Sequence, residues 1–530
     1  MGTSTKAAER PVSALRSAPP VRWRVYALPL FLVRLAAIFW ILAGLLRSSI
    51  EAPLIGLFLS AGVGGLLIAS LVRWIFLLLM ADPESPVPEQ GLRVAVVTTF
   101  VPHAESIRML ERTVLATTKL GYPHDTWVLD EGNDQDVIDL CRRLGAYHFS
   151  RRGMADCQCD TGPFQSGTKH GNYNAWLREV GFRRYEILAG IDPDQVPYPD
   201  FLTATLGCFR DPMVAYVQSP KDYYNADSSL IARGCDEESR DFYWITQRVY
   251  DRFGSPSIIG AHHVHRMAAL EKTGGLAPHV ADDLLLTLLY KLSGWRGAYV
   301  PRVLARGLAP VDWATYIKQQ RRWARSLLDV KFRIFPRISS HLPISVRAVG
   351  ILQGLTYLQD VIVAICLLVA LTGGLIYGVP ASISSFLLSL SFTLAVVLLL
   401  ATGLYPHLYH GPYGRKGFYW RSAWLRFAKW PFTLQAIWDV ARGGRHGYDL
   451  TVKSGPRAVR KLLFWPHLLL SALLIAALFA GIAVRGSGDF LPHILAGSVV
   501  LASVVLCISN LRPVQPACEP SPDRSADGSS

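Results

Sequence analysis

The sequence predicts an α/β domain inserted between transmembrane α-helices, two before it and four after it. Three observations lead there. Apolar residues make up 51% of the 530 residues and charged ones only 18%, a balance shifted toward membrane proteins. Six stretches are long and apolar enough to span a bilayer, which takes about 20 residues: 26–46, 54–80, 356–377, 382–405, 464–484 and 490–511. Between the second and third, short apolar strands alternate with helical spacing, the pattern of a mostly parallel sheet.

The spans carry few charges. Arg34 and Arg73 lie in the first two and Asp360 near the start of the third. Charges at such depth are rare and can be functional; for Arg34 and Asp360 the plainer reading is a side chain that reaches the interface. Orientation follows from the basic loops. The net charge of +14 is concentrated in 1–23 and 410–461. Six spans place both basic segments, the α/β domain and both termini on the cytoplasmic side of the plasma (inner) membrane. The N-terminus lacks a small-residue cleavage site behind its first apolar run, so that run is expected to be a retained helix. The divisions are a basic tail (1–25), two spans (26–80), the α/β domain (81–342), an interface helix with two spans (343–405), a basic cytosolic segment (406–462), two spans (463–511) and a tail of disordered composition (512–530).

Within the domain, 93–100 is an apolar strand, 107–120 has helical spacing, and 125–129 and Ile187–Ile191 are further strands that end in acids. In such sheets ligands bind beyond the carboxyl ends of the strands. Segment 415–440 interleaves basic residues with Trp420, Trp424, Phe427, Trp430, Phe432 and Trp438. That suits a helix lying in a membrane interface; spans on both sides argue against nucleic acid. The eight cysteines are scattered apart from Cys157 and Cys159, with no second pair at zinc spacing, and read as free thiols.

Four motifs carry chemistry. Asp130-Glu131 follows a strand, where carboxylates either hold a ribose or a metal-bound pyrophosphate or are simply solvated. Asp192-Pro193-Asp194 offers two carboxylates one residue apart, a grip for Mg²⁺ or Mn²⁺ or an Asp-Pro turn. Asp282-Asp283 precedes an apolar helical run; one acid suits an N-cap, and Asp283 suits a general base for a hydroxyl proton. In Gln319-Gln320-Arg321-Arg322-Trp323 the arginines suit a leaving diphosphate and the tryptophan a sugar face. The plain alternative is a basic juxtamembrane helix.

In this order the motifs resemble the processive family 2 glycosyltransferases, in particular cellulose synthase and its curdlan- and mixed-linkage-glucan-synthase relatives. Asp130-Glu131 looks like the family's Asp-Asp element, Asp192-Pro193-Asp194 like its DxD, Ala281-Asp282-Asp283 like its Thr-Glu-Asp and Gln319–Trp323 like its Q(Q/R)xRW. The run Lys169-His170-Gly171-Asn172-Tyr173-Asn174-Ala175 is similar to KAGNxNA, Val217-Gln218-Ser219-Pro220 to VQTP, and Tyr448-Asp449-Leu450-Thr451-Val452-Lys453 to the FxVTxK gating loop.

The resemblance implies a GT-A fold and an inverting transfer from a UDP-sugar, with UDP-glucose weighted first, to a growing β-linked glucan that leaves through the membrane helices. It implies Asp283 as base, with Trp323, Asp282 and His262 on the acceptor. It assigns Thr99, Asp130, Glu131, Lys169, Asp192, Gln319, Gln320, Arg321, Arg322, Thr451 and Lys453 to the nucleotide and diphosphate, and Asp192 and Asp194 to Mg²⁺ or Mn²⁺. Expected partners are the donor, the polysaccharide, the bilayer and export or accessory subunits, not nucleic acid. A transferase adding a single sugar to a lipid, or a synthase of an amino-sugar or mannan polymer, is the alternative. The chain departs from the family at Ala281, and at Ile258-Ile259-Gly260 in place of Phe-Cys-Gly, followed by His262, His263 and His265. Those departures put acceptor and linkage in question. The His-His-x-His spacing alone is a weak metal signal. No PilZ domain is expected after the last helix.

Overall fold

The computed structural model describes residues 21–81, 83, 86–102, 104–380, 383–390, 419–443, 462–486 and 490–511. Thr451 and Lys453, with the rest of the expected gating loop, lie outside the described residues.

The domain is built on ten strands: β1 (Val94–Phe100), β2 (Asp125–Asp130), β3 (Tyr147–Phe149), β4 (Ile187–Ile191), β5 (Val196–Pro197), β6 (Val214–Gln218), β7 (Asp222–Tyr223), β8 (His262–Arg266), β9 (Arg296–Tyr299) and β10 (Ala305–Gly307). Seven form one sheet in the order β3-β2-β1-β4-β8-β6-β9, and β5-β10-β7 form a small second sheet. All residues of β1 and β4 are buried. A strand covered on both faces reads as an unbroken apolar run, which is why these strands were legible. The large sheet is mixed: β8 runs antiparallel to both β4 and β6, while β3, β2, β1 and β4 are parallel. Strand β8 is the element the sequence hid, because its core is His-His-Val-His rather than aliphatic.

The helices used below are α1 (Val21–Glu51), α2 (Pro53–Leu79), α3 (Ile107–Thr117), α4 (Gln135–Leu144), α5 (Lys169–Trp176), α6 (Leu230–Asp241), α7 (Asp282–Leu292), α8 (Trp313–Asp329), α9 (Leu355–Tyr377), α10 (Trp420–Ala441), α11 (Trp465–Arg485) and α12 (Phe490–Leu511). Their starts follow side-chain caps: Ser106 for α3, Asp134 for α4, Thr168 for α5, Ser229 for α6 and Asp312 for α8 each accept a backbone N–H of the first turn. Gly145 ends α4 in the left-handed region at φ 72°, where a side chain is disfavoured.

Among the described residues, Pro53–Leu79, Ile344–Tyr377, Trp465–Arg485 and Phe490–Leu511 are long and apolar enough to cross a membrane. These four helices mark a membrane protein, and they flank the α/β domain on both sides. The expected first span lies inside α1, and of the expected fourth only 383–390 is described, as helix. The third begins after Gly354, whose φ of +75° and whose closeness to the Leu327 side chain exclude a Cβ.

The membrane helices are fastened to the domain by charge. Arg73 of α2 donates to Asp241 of α6 at 2.8 Å, so this buried-span arginine serves the junction. Asp360 of α9 is the chief influence raising the Arg426 guanidinium on α10. Helix α10, expected to lie on the membrane surface, is docked on the domain: Leu425, Ala428 and Phe432 share a core with Trp313 and Tyr316 of α8. Arg421 pairs with Glu237 at 2.9 Å, and Lys429 reaches Glu238 and, at 3.1 Å, Gln320.

Candidate active site

The carboxyl end of β4 delivers the DxD loop. Asp192 N–H donates to the Ala261 carbonyl at 2.8 Å, continuing the β4–β8 pairing in which Ile191 faces His262. Thr113 of α3 donates to the carbonyls of Pro193 (2.7 Å) and Gln195 (2.9 Å), pinning the turn. Asp192 is half-buried and Asp194 buried.

Lys169, the first residue of α5, reaches across to this loop. Its Nζ donates to Asp192 Oδ1 at 2.6 Å and to the carbonyl of Gly260. The N–H of the same Gly260 donates to Asp283 Oδ2 at 3.0 Å. One residue just before β8 therefore joins the lysine and DxD arm to the acid expected as base. The 258–262 segment is held in turn by Gln218 of the Val-Gln-Ser-Pro motif: its side chain accepts from Ile259 N at 2.9 Å and donates to the His262 carbonyl at 2.8 Å.

Asp282 and Asp283 form the first turn of α7, where the helix dipole favours negative charge. Burial and the neighbouring Asp283 charge push the Asp282 carboxyl up to about 7, against the pull of Lys169. Burial also raises Asp283, opposed by the N–H groups of Leu284 and Gly260. The two adjacent carboxyls influence one another, and a carboxyl raised by burial is suited to taking a proton.

The remainder of the lysine helix is a hub. Asn172 donates to the Leu129 carbonyl (3.1 Å), Tyr173 to the Val97 carbonyl (3.0 Å), and Asn174 to those of Pro163 and Leu276. These bonds tie α5 to the middle of β1 and the end of β2 and explain the sequence Lys-His-Gly-Asn-Tyr-Asn as a positioning element.

Residues 94–326 match the family model described as "Glycosyltransferase like family 2". This region is thus similar to family 2 glycosyltransferase domains. The mixed sheet with the reversed β8 is its GT-A fold. Over 342 residues the chain is 26% identical to "Cellulose synthase 1 catalytic subunit [UDP-forming]" of Komagataeibacter xylinus, covering 61% of this chain and 42% of that one. Over 424 residues it is 26% identical to "Cellulose synthase catalytic subunit [UDP-forming]" of Pseudomonas fluorescens (strain SBW25), covering 74% and 52%. The chain thus spans about half the length of the curated relatives it matches. A solved mannosyltransferase of Pyrobaculum calidifontis, in complex with GDP-Man and Mn²⁺, has a TM-score of 0.49 at 16% identity, covering 74% of this chain and 99% of that one.

Several expected contacts fall elsewhere. Asp130 is fully buried, accepting from the N–H groups of Gly132 (2.8 Å) and Asp134 (2.5 Å) and lying 3.2 Å from His148; it holds its own loop. Glu131 is taken by Arg151 in a two-armed pair at 2.6 and 3.0 Å. His262, expected on the acceptor, is wholly buried in β8, its ring edge-on to Phe201 and its Nε2 by the Ser219 carbonyl. The sheet has closed over it, so it is not an acceptor contact here. On α8, Gln320 is buried against Lys429, and Arg321 pairs with Asp439 of α10 at 2.6 Å. Gln319 and Arg322 are half-buried and Trp323 is exposed. Thr99 is buried near the end of β1.

Sequence reasoning missed Arg151, and it singled out Ile258-Ile259-Gly260 without the bridging role of the Gly260 peptide groups. It also missed the buried chain His263–His265–Tyr290, at 2.8 and 3.0 Å, which packs His263 over Gly190 of β4. Burial lowers both histidines well below their usual range, so they are neutral. Among the described residues no three His, Cys, Asp or Glu side chains converge as a metal cage.

Proposed function

We propose that the protein is an inverting, processive glycosyltransferase of the inner or plasma membrane that polymerises a β-linked glucan from UDP-glucose and moves it across the bilayer. The observation that carries this reading is the Asp192–Lys169–Gly260–Asp283 chain of contacts. It couples a strand-end carboxylate loop to an acid whose ionisation is raised by burial. Asp283 takes the proton of the acceptor hydroxyl as that oxygen attacks the anomeric carbon and the bond to the diphosphate breaks. The curated relatives are named as UDP-forming cellulose synthases, which supports the donor and the product class.

Asp192 and Asp194 are hard oxygen donors that fit Mg²⁺ or Mn²⁺, ions that complete their coordination with substrate phosphate and water. A bound ion there neutralises the departing diphosphate as a Lewis acid. Lys169 holds Asp192 in place and brings positive charge to the same side of the cleft. Arg322 and Gln319 on α8 would serve the diphosphate, and Trp323, exposed on that helix, would stack on the acceptor sugar. The family resemblance assigns Thr451 and Lys453 to the nucleotide. The spans before and after the domain form the route out, with the domain and both termini cytoplasmic.

The test offers purified protein each labelled sugar nucleotide with Mg²⁺ or Mn²⁺, then digests the product with β-1,3- and β-1,4-specific hydrolases. A long product cut by one or both enzymes is expected. A single-sugar lipid extractable into organic solvent, or resistance to every β-glucanase, overturns the glucan assignment.

A further inference from the structure

Arg151 lies outside every motif in the sequence, yet it is the most completely engaged side chain near the site. It is 0% exposed. A guanidinium has five N–H donors in a fixed plane, and here they meet Glu131 Oε2 (3.0 Å) and Oε1 (2.6 Å) and the carbonyls of Gln165 (3.1 Å), Cys157 (3.0 Å) and Phe164 (3.3 Å). Glu131 directly follows β2, and its Oε1 also accepts the Gly167 N–H at 3.2 Å. The three carbonyls belong to the turn that feeds α5.

That turn sets the start of the lysine helix. The Gln165 carbonyl accepts from Arg151 and also from the Thr168 hydroxyl at 2.7 Å, while Thr168 Oγ1 accepts the Gly171 N–H at 3.1 Å as the cap of α5. The fit is tight enough to dictate Gly171. A Cβ there would stand 2.2 Å from the Gln165 oxygen and 2.6 Å from Arg151 Nη1. The next residue after the cap is Lys169, whose Nζ bridges Asp192 and the Gly260 carbonyl.

We propose that Arg151 is a positioning residue: by clamping the 157–167 turn onto Glu131 it fixes the first turn of α5, and so aims Lys169 at the Asp192 and Gly260 arms of the site. This rests on the transferase reading for its effect on turnover, but its structural half does not. Lysine cannot replace the fork, because a point charge with three donors cannot serve a carboxylate and three carbonyls in one plane.

Two measurements on the full-length detergent-solubilised protein decide it. The first needs no substrate: Lys169 acylation by N-hydroxysuccinimidyl acetate is followed by peptide mass spectrometry in wild type and in Arg151→Lys. Release of Lys169 from its ion pair predicts a several-fold faster labelling at Lys169, with other lysines unchanged. The second is a double-mutant cycle on turnover. Arg151→Lys lowers kcat by about 10- to 100-fold, but by less than about 2-fold when Lys169 is already alanine, because residues acting through one another do not add. Should Arg151→Lys not fold, Glu131→Gln, which keeps Arg151, enters both measurements in its place. Unchanged labelling of Lys169, or an equal loss of kcat in both backgrounds, overturns the proposal. A wild-type protein inactive on every sugar nucleotide overturns the transferase reading instead, and the labelling result then decides the role of Arg151.

Discussion

Two pairs of adjacent acids in one domain have opposite fates. Asp130 and Glu131, at the end of β2, are spent on internal contacts: two backbone N–H groups and a histidine for the first, a buried guanidinium and the Gly167 N–H for the second. Asp282 and Asp283, at the start of α7, have backbone N–H partners and the field of Lys169 but, among the described residues, no guanidinium, and their ionisation is raised. A carboxylate that is fully hydrogen-bonded is a structural part, whereas one kept half-buried near a substrate cleft is poised to exchange a proton. The chemistry of the residue is the same; the partners decide the role.

The sharpest break between the pairs is Asp283→Asn, which removes the proposed base while keeping the shape. It lowers kcat by about 10²- to 10⁴-fold and leaves the thermal midpoint near wild type. Glu131→Gln does the reverse in kind. It leaves the buried Arg151 without its counter-charge, which costs about 3 kcal/mol of stability, read as a lowered denaturation midpoint in detergent. Asp282→Asn tests the influence of one carboxyl on the other. Transfer requires an ionised base, and burial raises Asp283, so the acid limb of the wild-type pH–rate profile lies above the ordinary carboxylate range. Without the neighbouring carboxyl the acid limb of the pH–rate profile moves to lower pH; a limb that stays in place would show that the pair is not coupled. The smallest effect belongs to Arg321→Ala. Its pair with Asp439 is partly exposed and is worth about 0.5 kcal/mol, so stability and kcat both stay within about 3-fold of wild type. A loss near that of Asp283→Asn would return Arg321 to the diphosphate.

Strands β1, β2 and β4 and the four apolar helices were legible because burial on both faces, or in lipid, writes itself as apolar runs. Strand β8 was not. Its histidines satisfy one another and Tyr290 across α7, and no local periodicity announces a polar strand whose partners come from far along the chain. The same distance hid Arg151 and the bridging role of Gly260, one acting through carbonyl groups and the other through its own peptide. The motif at Gln319–Trp323 was legible as a unit, yet its residues divide: Gln320 and Arg321 turn to α10 while Trp323 faces out. A helix presents neighbouring positions to different faces, so five contiguous residues cannot all serve one ligand.

The most direct test of the account is to titrate UDP-glucose with Mn²⁺ into wild type and Asp283→Asn by calorimetry, and to follow sugar transfer in the same preparations. The account predicts donor affinities within about 2-fold of each other and transfer lost by at least about 100-fold in the variant, since a base is needed for the chemical step and not for holding the donor. Transfer by Asp283→Asn within about 3-fold of wild type would contradict it.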